Sequence, residues 1–391
     1  MSWMDLAVQM SPQLVAWRRH LHQYPELSFQ EYRTQEYVMD ALSSLGLKPQ
    51  PLGQTGVVAD IGEGPRGVAV RADIDALPLQ EESSHEFRSQ NAGVMHACGH
   101  DGHTAMLLGV AALLSNQGPH LPGRVRVMFQ PAEEKIPGGA RMLIEEGVLD
   151  NIDRVLGLHL SSDLPTGQVG TRVGTATANA DQFTITIEGK GGHGAKPEQA
   201  VDPVVVAAEL VLGLQSIVSR NITSRHAAVL TIGTLHSGSN FNIIASRATL
   251  TGTVRTFWME DRQLIKSRMQ TVVEHVCSAH GAVGTLNYLE GYPSVVNSPQ
   301  ETEMAGNVIS RMLGQGALVH PEALMAGEDF AYYLQECPGT FLSLGCRNPG
   351  VGAQYPHHHP QFTLDEAALP TGTAILSAVA LEFLTMTSPT P

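Results

Sequence analysis

The chain has 391 residues, 42% of them hydrophobic and 5% aromatic, enough for a buried core and more than one typical domain holds. With 24 basic against 38 acidic residues the formal net charge is −14, a balance that repels phosphate backbones and argues against a nucleic-acid partner. Met1-Ser2-Trp3-Met4-Asp5 lacks the basic start and apolar core of a signal peptide. The best membrane-span candidate, Val204 to Val218, is shorter than the ~18 residues required and contains Glu209 and Gln215. Cys98, Cys277, Cys337 and Cys346 are too dispersed for a disulfide framework, so a cytoplasmic protein with no membrane partner is expected.

In chain order, Ser11-Pro12 reads as an N-cap followed by proline at the first helical position, opening a helix that ends near Pro25. A second helix is expected from Glu31 to Leu45, stopped by Gly46. Val57 to Ile61 and Val68 to Arg71 read as strands, Leu107 to Leu114 as buried helix, and Val125 to Phe129 and Val155 to Leu160 as further strands. Strands alternating with helices predict an α/β layer with a mixed, largely parallel sheet flanked by helices. Near residue 180 the pattern changes, with Phe183, Ile185 and Ile187 alternating with polar residues. A helix (203–219), two strands (228–235 and 248–257), a helix (262–280) and a strand (284–290) follow. That is the β-α-β-β-α-β order of a ferredoxin-like unit. The expected organisation is therefore a catalytic domain in two parts, 1–179 and 292–391, with a ferredoxin-like α+β domain, 180–291, inserted between them.

Residues able to do chemistry gather where these strands end. Val68 to Arg71 runs into Ala72-Asp73-Ile74-Asp75, Val125 to Phe129 into Gln130-Pro131-Ala132-Glu133-Glu134, and Val155 to Leu158 into His159. In an open α/β sheet, ligands collect outside the carboxyl ends of strands. The run Met95-His96-Ala97-Cys98-Gly99-His100-Asp101-Gly102-His103 packs a thiol, imidazoles and a carboxylate around glycines that permit a tight bend, and His357, His358 and His359 stand near the C-terminus. Sulfur, nitrogen and oxygen donors collected in this way suit a hydrolytic metal site. Adjacent Glu133 and Glu134 invite a division of labour, one as ligand and the other as general base. The glycine loop Gly189-Lys190-Gly191-Gly192-His193-Gly194 lacks the spacing of a phosphate-binding loop, but its histidine could donate to a developing oxyanion.

Taken in order, the motifs resemble the dinuclear metalloamidohydrolases of the aminoacylase and carboxypeptidase family. The similarity is to the branch containing hippurate hydrolases, N-acyl-L-amino acid amidohydrolases and plant auxin-conjugate hydrolases. It rests on Arg18-Arg19-His20-Leu21-His22 with Pro25-Glu26, Arg71 to Pro78, the Cys98 cluster, Gln130 to Glu134 and Gly157-Leu158-His159. It continues through Gly191-Gly192-His193 with Asp202-Pro203, Asn242, Gly252 to Arg255, Gly327 to Phe330 and His358 to Phe362.

The resemblance implies a zinc-peptidase-like catalytic domain with an inserted lid and dimerisation domain. It implies two divalent ions per subunit, zinc or manganese ahead of cobalt or nickel, held by Cys98, His100, Glu134, His159 and His358. Glu133 would be the general base, Asp75 would orient a group of the metal site, and His193 would stabilise the oxyanion in the site of a partner subunit. Asn242 and Arg255 would bind the substrate's carboxylate end, a group that a guanidinium fork suits. The implied activity is hydrolysis of the amide bond of N-acyl-L-amino acids by a metalloprotein assembled as a homodimer or higher homo-oligomer. Deacetylation of N-acetyl-diaminopimelate, cleavage of dipeptides or of C-terminal residues, and a non-catalytic metal-binding homologue are the alternatives. Two positions depart from the family pattern: Glu198 stands where a histidine is common, and His357 where an apolar residue precedes the last ligand.

Overall fold

The computed structural model describes residues 1–117 and 120–386. The chain forms two compact units, one from residues 1–176, 295–322 and 329 onward, the other from 177–294 with 323–328. The return of 323–328 to the second unit is announced by no change of composition.

The first unit is built on an eight-stranded sheet. Its order is Gln50–Leu52, Gly56–Ile61, Arg124–Gln130, Gly67–Asp73, Arg154–Pro165, Gly339–Arg347, Val169–Gly170 and Leu318–Val319. The four central strands run parallel, and antiparallel pairs lie toward the edges. Val68, Val70 and Ala72 enter one apolar cluster with residues of helices His100–Ser115 and Ala368–Thr385. Ala69, on the other face, joins Met128, Val155 and Phe341 in a second cluster with residues of helices Gly139–Glu145 and Phe330–Glu336. Cover on both faces explains why every residue of Gly67–Asp73 is buried.

The second unit is a four-stranded antiparallel sheet in the order Ala228–Ser237, Arg247–Thr256, Asn179–Glu188, Val283–Tyr292, with helices Pro203–Asn221 and Met259–Ala279. Phe183, Ile185 and Ile187 are buried among apolar residues of those helices, as their alternation with polar residues requires. Asp202 caps the first helix by accepting from Val204 N (2.9 Å), and Pro203 follows it.

The structure corrects three sequence readings. Ser11 is not an N-cap. A helix, Trp3–Gln9, ends just before it, Met10 is the cap, and the Ser11 hydroxyl donates to Val8 O (2.7 Å). His159 does not stand at a strand end: its strand runs on to Pro165. Pairing with Gly67–Asp73 stops at Gly157, so His159 lies where the strand has lost that neighbour and keeps only Gly339–Arg347. Two helices, Pro203–Asn221 and Ala368–Thr385, are long and apolar enough to cross a membrane, against the expectation that no run approaches that length. The second is a core helix, with 78% of its apolar window buried.

Candidate active site

The strand Gly67–Asp73 ends on Asp73, and the chain continues through Ile74 to Asp75, buried beside helix His100–Ser115. Gly99 caps that helix at φ 92, a left-handed turn that favours glycine and sets Cys98 and His100 on either side of it. After Gln130, Ala132 adopts φ 55, and this turn carries Glu133 and Glu134 out of the strand. Far along the chain, His358 at φ 63 donates its backbone N–H to Ala97 O (2.8 Å), which ties the C-terminal histidines to the Cys98 segment. Left-handed backbone at non-glycine residues is costly and concentrates at functional sites.

These elements bring the expected donors together. Cys98, His100 and His159 offer ligand atoms within 4.8 Å of one another, as do Cys98, Glu134 and His358, and again His100, Glu133 and Glu134. His100 Nδ1 lies 2.9 Å from Asp75 O and His159 Nδ1 2.6 Å from Leu160 O. A carbonyl oxygen only accepts, so both Nδ1 atoms carry hydrogen, and each ring when neutral turns a lone pair outward on Nε2. His159 Nε2 is 3.5 Å from Cys98 Sγ. His100 Nε2 is buried without a hydrogen bond among the described residues, with Asp73 Oδ2 at 3.7 Å and Glu134 Oε1 at 4.0 Å. A buried, unpartnered nitrogen facing oxygen and sulfur donors is what a cation site requires, so the residues present fit a divalent metal.

The electrostatics agree. Against the downward pull of burial, the Asp73 and Asp75 carboxylates hold His100 up at about 10. Burial, with Glu134, Glu133 and Asp73, keeps the Cys98 thiol well above its ordinary range. Such a concentration of negative charge calls for a cation. Asp75 is held below the usual carboxylate range despite burial, because His100 lies 3.3 Å from its Oδ1 and the Ser28 hydroxyl (2.6 Å) and Glu134 N (3.0 Å) hydrogen-bond to its Oδ2.

His103 shares the cluster but is not free to bind. Its Nδ1 donates to Asp73 Oδ1 (2.6 Å) and its Nε2 accepts from Leu160 N (2.8 Å). Burial pushes it down to about 4, so it is a neutral bridge from Asp73 to the backbone beside His159. Asp73 is in turn held by Arg71 (2.6 Å), which also reaches Gln130 (2.9 Å) and Asp329 (2.8 Å). Sequence reasoning gave Asp73, His103, Ser28 and Glu31 no role. Asp73 carried a signal at a predicted strand end and His103 one helical turn after His100, whereas Ser28 and Glu31 carried none. His357 packs edge-on against the His159 ring (5.2 Å), and burial, with the neighbouring histidines, presses it down to about 2.

The remaining expected residues lie in the second unit. His193 is exposed on a two-stranded ribbon, Gly192–His193 with Ile243–Ile244, and Asn242 O accepts from Gly194 N (2.9 Å) beside it. Asn242 adjoins a cavity of about 620 Å³ lined by Gly194, Asp202, Phe241 and Ile243 among others. Arg255 is partly buried and donates to Thr253 Oγ1 (2.5 Å) and Asp181 O (3.3 Å). The Asp181 carboxylate itself is engaged by Arg262, so Arg255 is tied to the backbone rather than to a local acid.

Comparison with known proteins agrees with this chemistry. The model of peptidase family M20/M25/M40 matches residues 69–382. N-acetyl-L-cysteine deacetylase of Bacillus subtilis is 42% identical over 361 residues, covering 91% of this chain and 85% of that protein. Thermostable carboxypeptidase 1 of Saccharolobus solfataricus is 40% identical over 372 residues, 94% of each. The solved structure of the Bacillus subtilis YxeP protein, a dinuclear metal binding peptidase from the M20 family, superposes with a TM-score of 0.83 at 37% identity, covering 96% of this chain and 99% of that one. The chain belongs to peptidase family M20/M25/M40 and is an amide-bond hydrolase.

Proposed function

We propose that the chain hydrolyses the amide bond of N-acyl-L-amino acids, releasing a carboxylic acid and an amino acid. One observation carries the reading: Glu133, 6% exposed, lies with His100 and Glu134 in a cluster that also reaches Cys98, His159 and His358. Cys98, His100, Glu134, His159 and His358 would hold two divalent ions, zinc or manganese ahead of cobalt or nickel. Bound there, the ions would polarise the amide carbonyl and acidify water. Glu133 takes a proton from the attacking water at a carboxylate oxygen and passes it to the leaving amine. Asp75 keeps His100 in one tautomer. His193 of a partner subunit donates to the developing oxyanion, and Asn242 and Arg255 receive the substrate's carboxylate. On this reading the protein works as a homodimer or larger homo-oligomer joined through its second unit.

The test is a panel of N-acetyl, N-benzoyl and indole-acetyl amino acids with metal content measured alongside. Glu133→Gln should lose at least about 100-fold in kcat while keeping its ions. Undiminished turnover in that variant would remove Glu133 from the mechanism. A metal-loaded wild type inert on the whole panel would instead favour a second reading, carboxypeptidase action. The 40% identity to Thermostable carboxypeptidase 1 supports that alternative, and C-terminally blocked and unblocked peptides would test it.

A further inference from the structure

We infer that the loop of residues 26–31 is a clamp that fixes the direction of Glu133, with Ser28 and Glu31 as positioning residues; the inference rests on the reading of Glu133 as general base. The loop joins helices Ser11–Gln23 and Tyr32–Ser44 and is pinned at both ends. At its start Ala76 N donates to Glu26 O (2.8 Å), and Leu27 bridges to Ala76. The Glu26 carboxylate accepts from Thr34 N (2.8 Å) and Thr34 Oγ1 (3.0 Å), which locks the loop to the helix that follows it.

From this platform two side chains reach the turn that bears the glutamates. Glu31, fully buried, accepts from Ala132 N (2.9 Å) through Oε1 and from Thr55 Oγ1 (2.6 Å) through Oε2. Ser28 Oγ donates to Asp75 Oδ2 (2.6 Å), and the same oxygen accepts from Glu134 N (3.0 Å). The amides on either side of Glu133 are therefore both held by carboxylates, one belonging to the clamp and one set by it. Ala132 stands at φ 55, a conformation that a residue with a Cβ leaves unless its surroundings hold it. Holding the amides of residues 132 and 134 fixes the backbone on both sides of residue 133, and with it the direction of the Glu133 Cα–Cβ bond. Neither Ser28 nor Glu31 belongs to the proposed ligand set, and neither needs to touch substrate. Their effect passes through backbone amides and Asp75, and misplacing a reacting group by about 1 Å can cost about 100-fold in rate.

The experiment uses the metal-loaded full chain and four variants, Glu31→Ala, Glu31→Gln, Thr55→Val and Glu133→Gln. It measures kcat and KM on the best N-acyl amino acid of the panel, ions per subunit and melting temperature. Glu31→Ala should lose about 100-fold in kcat with KM within about threefold and its ions retained. Glu31→Gln, whose carbonyl oxygen can still accept from Ala132 N, should keep kcat within about threefold of wild type, as should Thr55→Val, which melts lower but leaves the Ala132 bond in place. A Glu31→Ala enzyme with wild-type kcat overturns the clamp. So does a kcat loss that follows melting temperature through Thr55→Val, since that marks a merely structural role. If Glu31→Ala does not fold, Ser28→Ala takes its place, with about a tenfold fall in kcat at unchanged KM expected and unchanged kcat counting against the proposal. An active Glu133→Gln removes the base reading and the clamp with it. An inactive Glu133→Gln beside an intact Glu31→Ala overturns the clamp alone.

Discussion

Glu31 also makes the stability of the first unit depend on pH. It is fully buried, and that burial, with the Asp75 charge adding to it, raises its carboxyl from an ordinary 4.5 to about 7, despite the hydrogen bonds from Thr55 and Ala132 N. The folded state therefore binds its proton more tightly than the unfolded chain. The stability this contributes is complete below about pH 4.5 and is lost as pH climbs through 7. The rise from 4.5 to about 7 corresponds to about 3 kcal/mol at most, at 1.36 kcal/mol per tenfold change in proton affinity. Glu31→Gln replaces the carboxyl with a group that cannot ionise. Every other titration is common to variant and wild type and cancels in their difference.

The expected outcome is a stability difference near its minimum at pH 5 that grows in favour of Glu31→Gln by up to about 3 kcal/mol at pH 8.5. Urea denaturation of chelator-treated protein at several pH values measures it. Cations beside Asp75 would offset that charge and shrink the effect. Trp3 and Trp17 lie in the first unit and Trp258 in the second, so a Trp258→Phe background confines the fluorescence signal to the unit of interest. A difference that is flat from pH 5 to 8.5, or that grows in favour of the wild type, refutes the reasoning.

Chelation should lower the melting temperature and resupply of the ion should restore it. A ligand at 100 times its Kd contributes about 2.7 kcal/mol, and differential scanning calorimetry with metal analysis checks this. Gly139→Ala should lower both stability and kcat, because a Cβ there would stand 1.9 Å from the Pro131 backbone oxygen and displace the turn before Glu133. A cost of about 1–3 kcal/mol is expected, read from melting temperature and initial rates. A mixed dimer of His193→Ala and Glu133→Gln chains should regain activity in one of its two sites if His193 acts in trans, whereas two inactive parents giving an inactive mixture would count against that arrangement.

The cluster was legible because its donors are unusual residue types crowded into short runs, Cys98 to His103 and His357 to His359, and because Glu133 and Glu134 follow the parallel strand Arg124–Gln130. The ferredoxin-like unit was legible because Phe183, Ile185 and Ile187 alternate cleanly with polar residues. The opening helix Trp3–Gln9 was harder to read. It has only seven residues, and its signal is a capping box in which the Ser2 hydroxyl accepts from Asp5 N (3.1 Å) and Asp5 accepts from Ser2 N (2.9 Å). Overlooking it moved the cap to Ser11. The role of His103 was hidden because spacing says that two imidazoles share a helix face but not that both nitrogens of one are already engaged. Glu31 left no trace, since its partners Thr55 and Ala132 are 24 and 101 residues away.

Charge balance explains why the site can stand next to so many buried acids. Asp73 is matched by Arg71 and Asp101 by Arg18 at 2.7 Å, guanidinium groups that stay charged at any pH the protein meets. Asp75 and Glu134 face histidines instead: His100 lies 3.3 Å from Asp75, and His358 lies 3.2 Å from Glu134. A guanidinium cannot give up its charge to make room for a cation, whereas an imidazole can trade its proton for one. His100 is held up at about 10 by the carboxylates around it, so on the proposed reading it would have to release that proton before its Nε2 could hold an ion. The fixed charges therefore pair with Asp73 and Asp101, and the exchangeable ones face Asp75 and Glu134, beside the donors proposed to hold the ions.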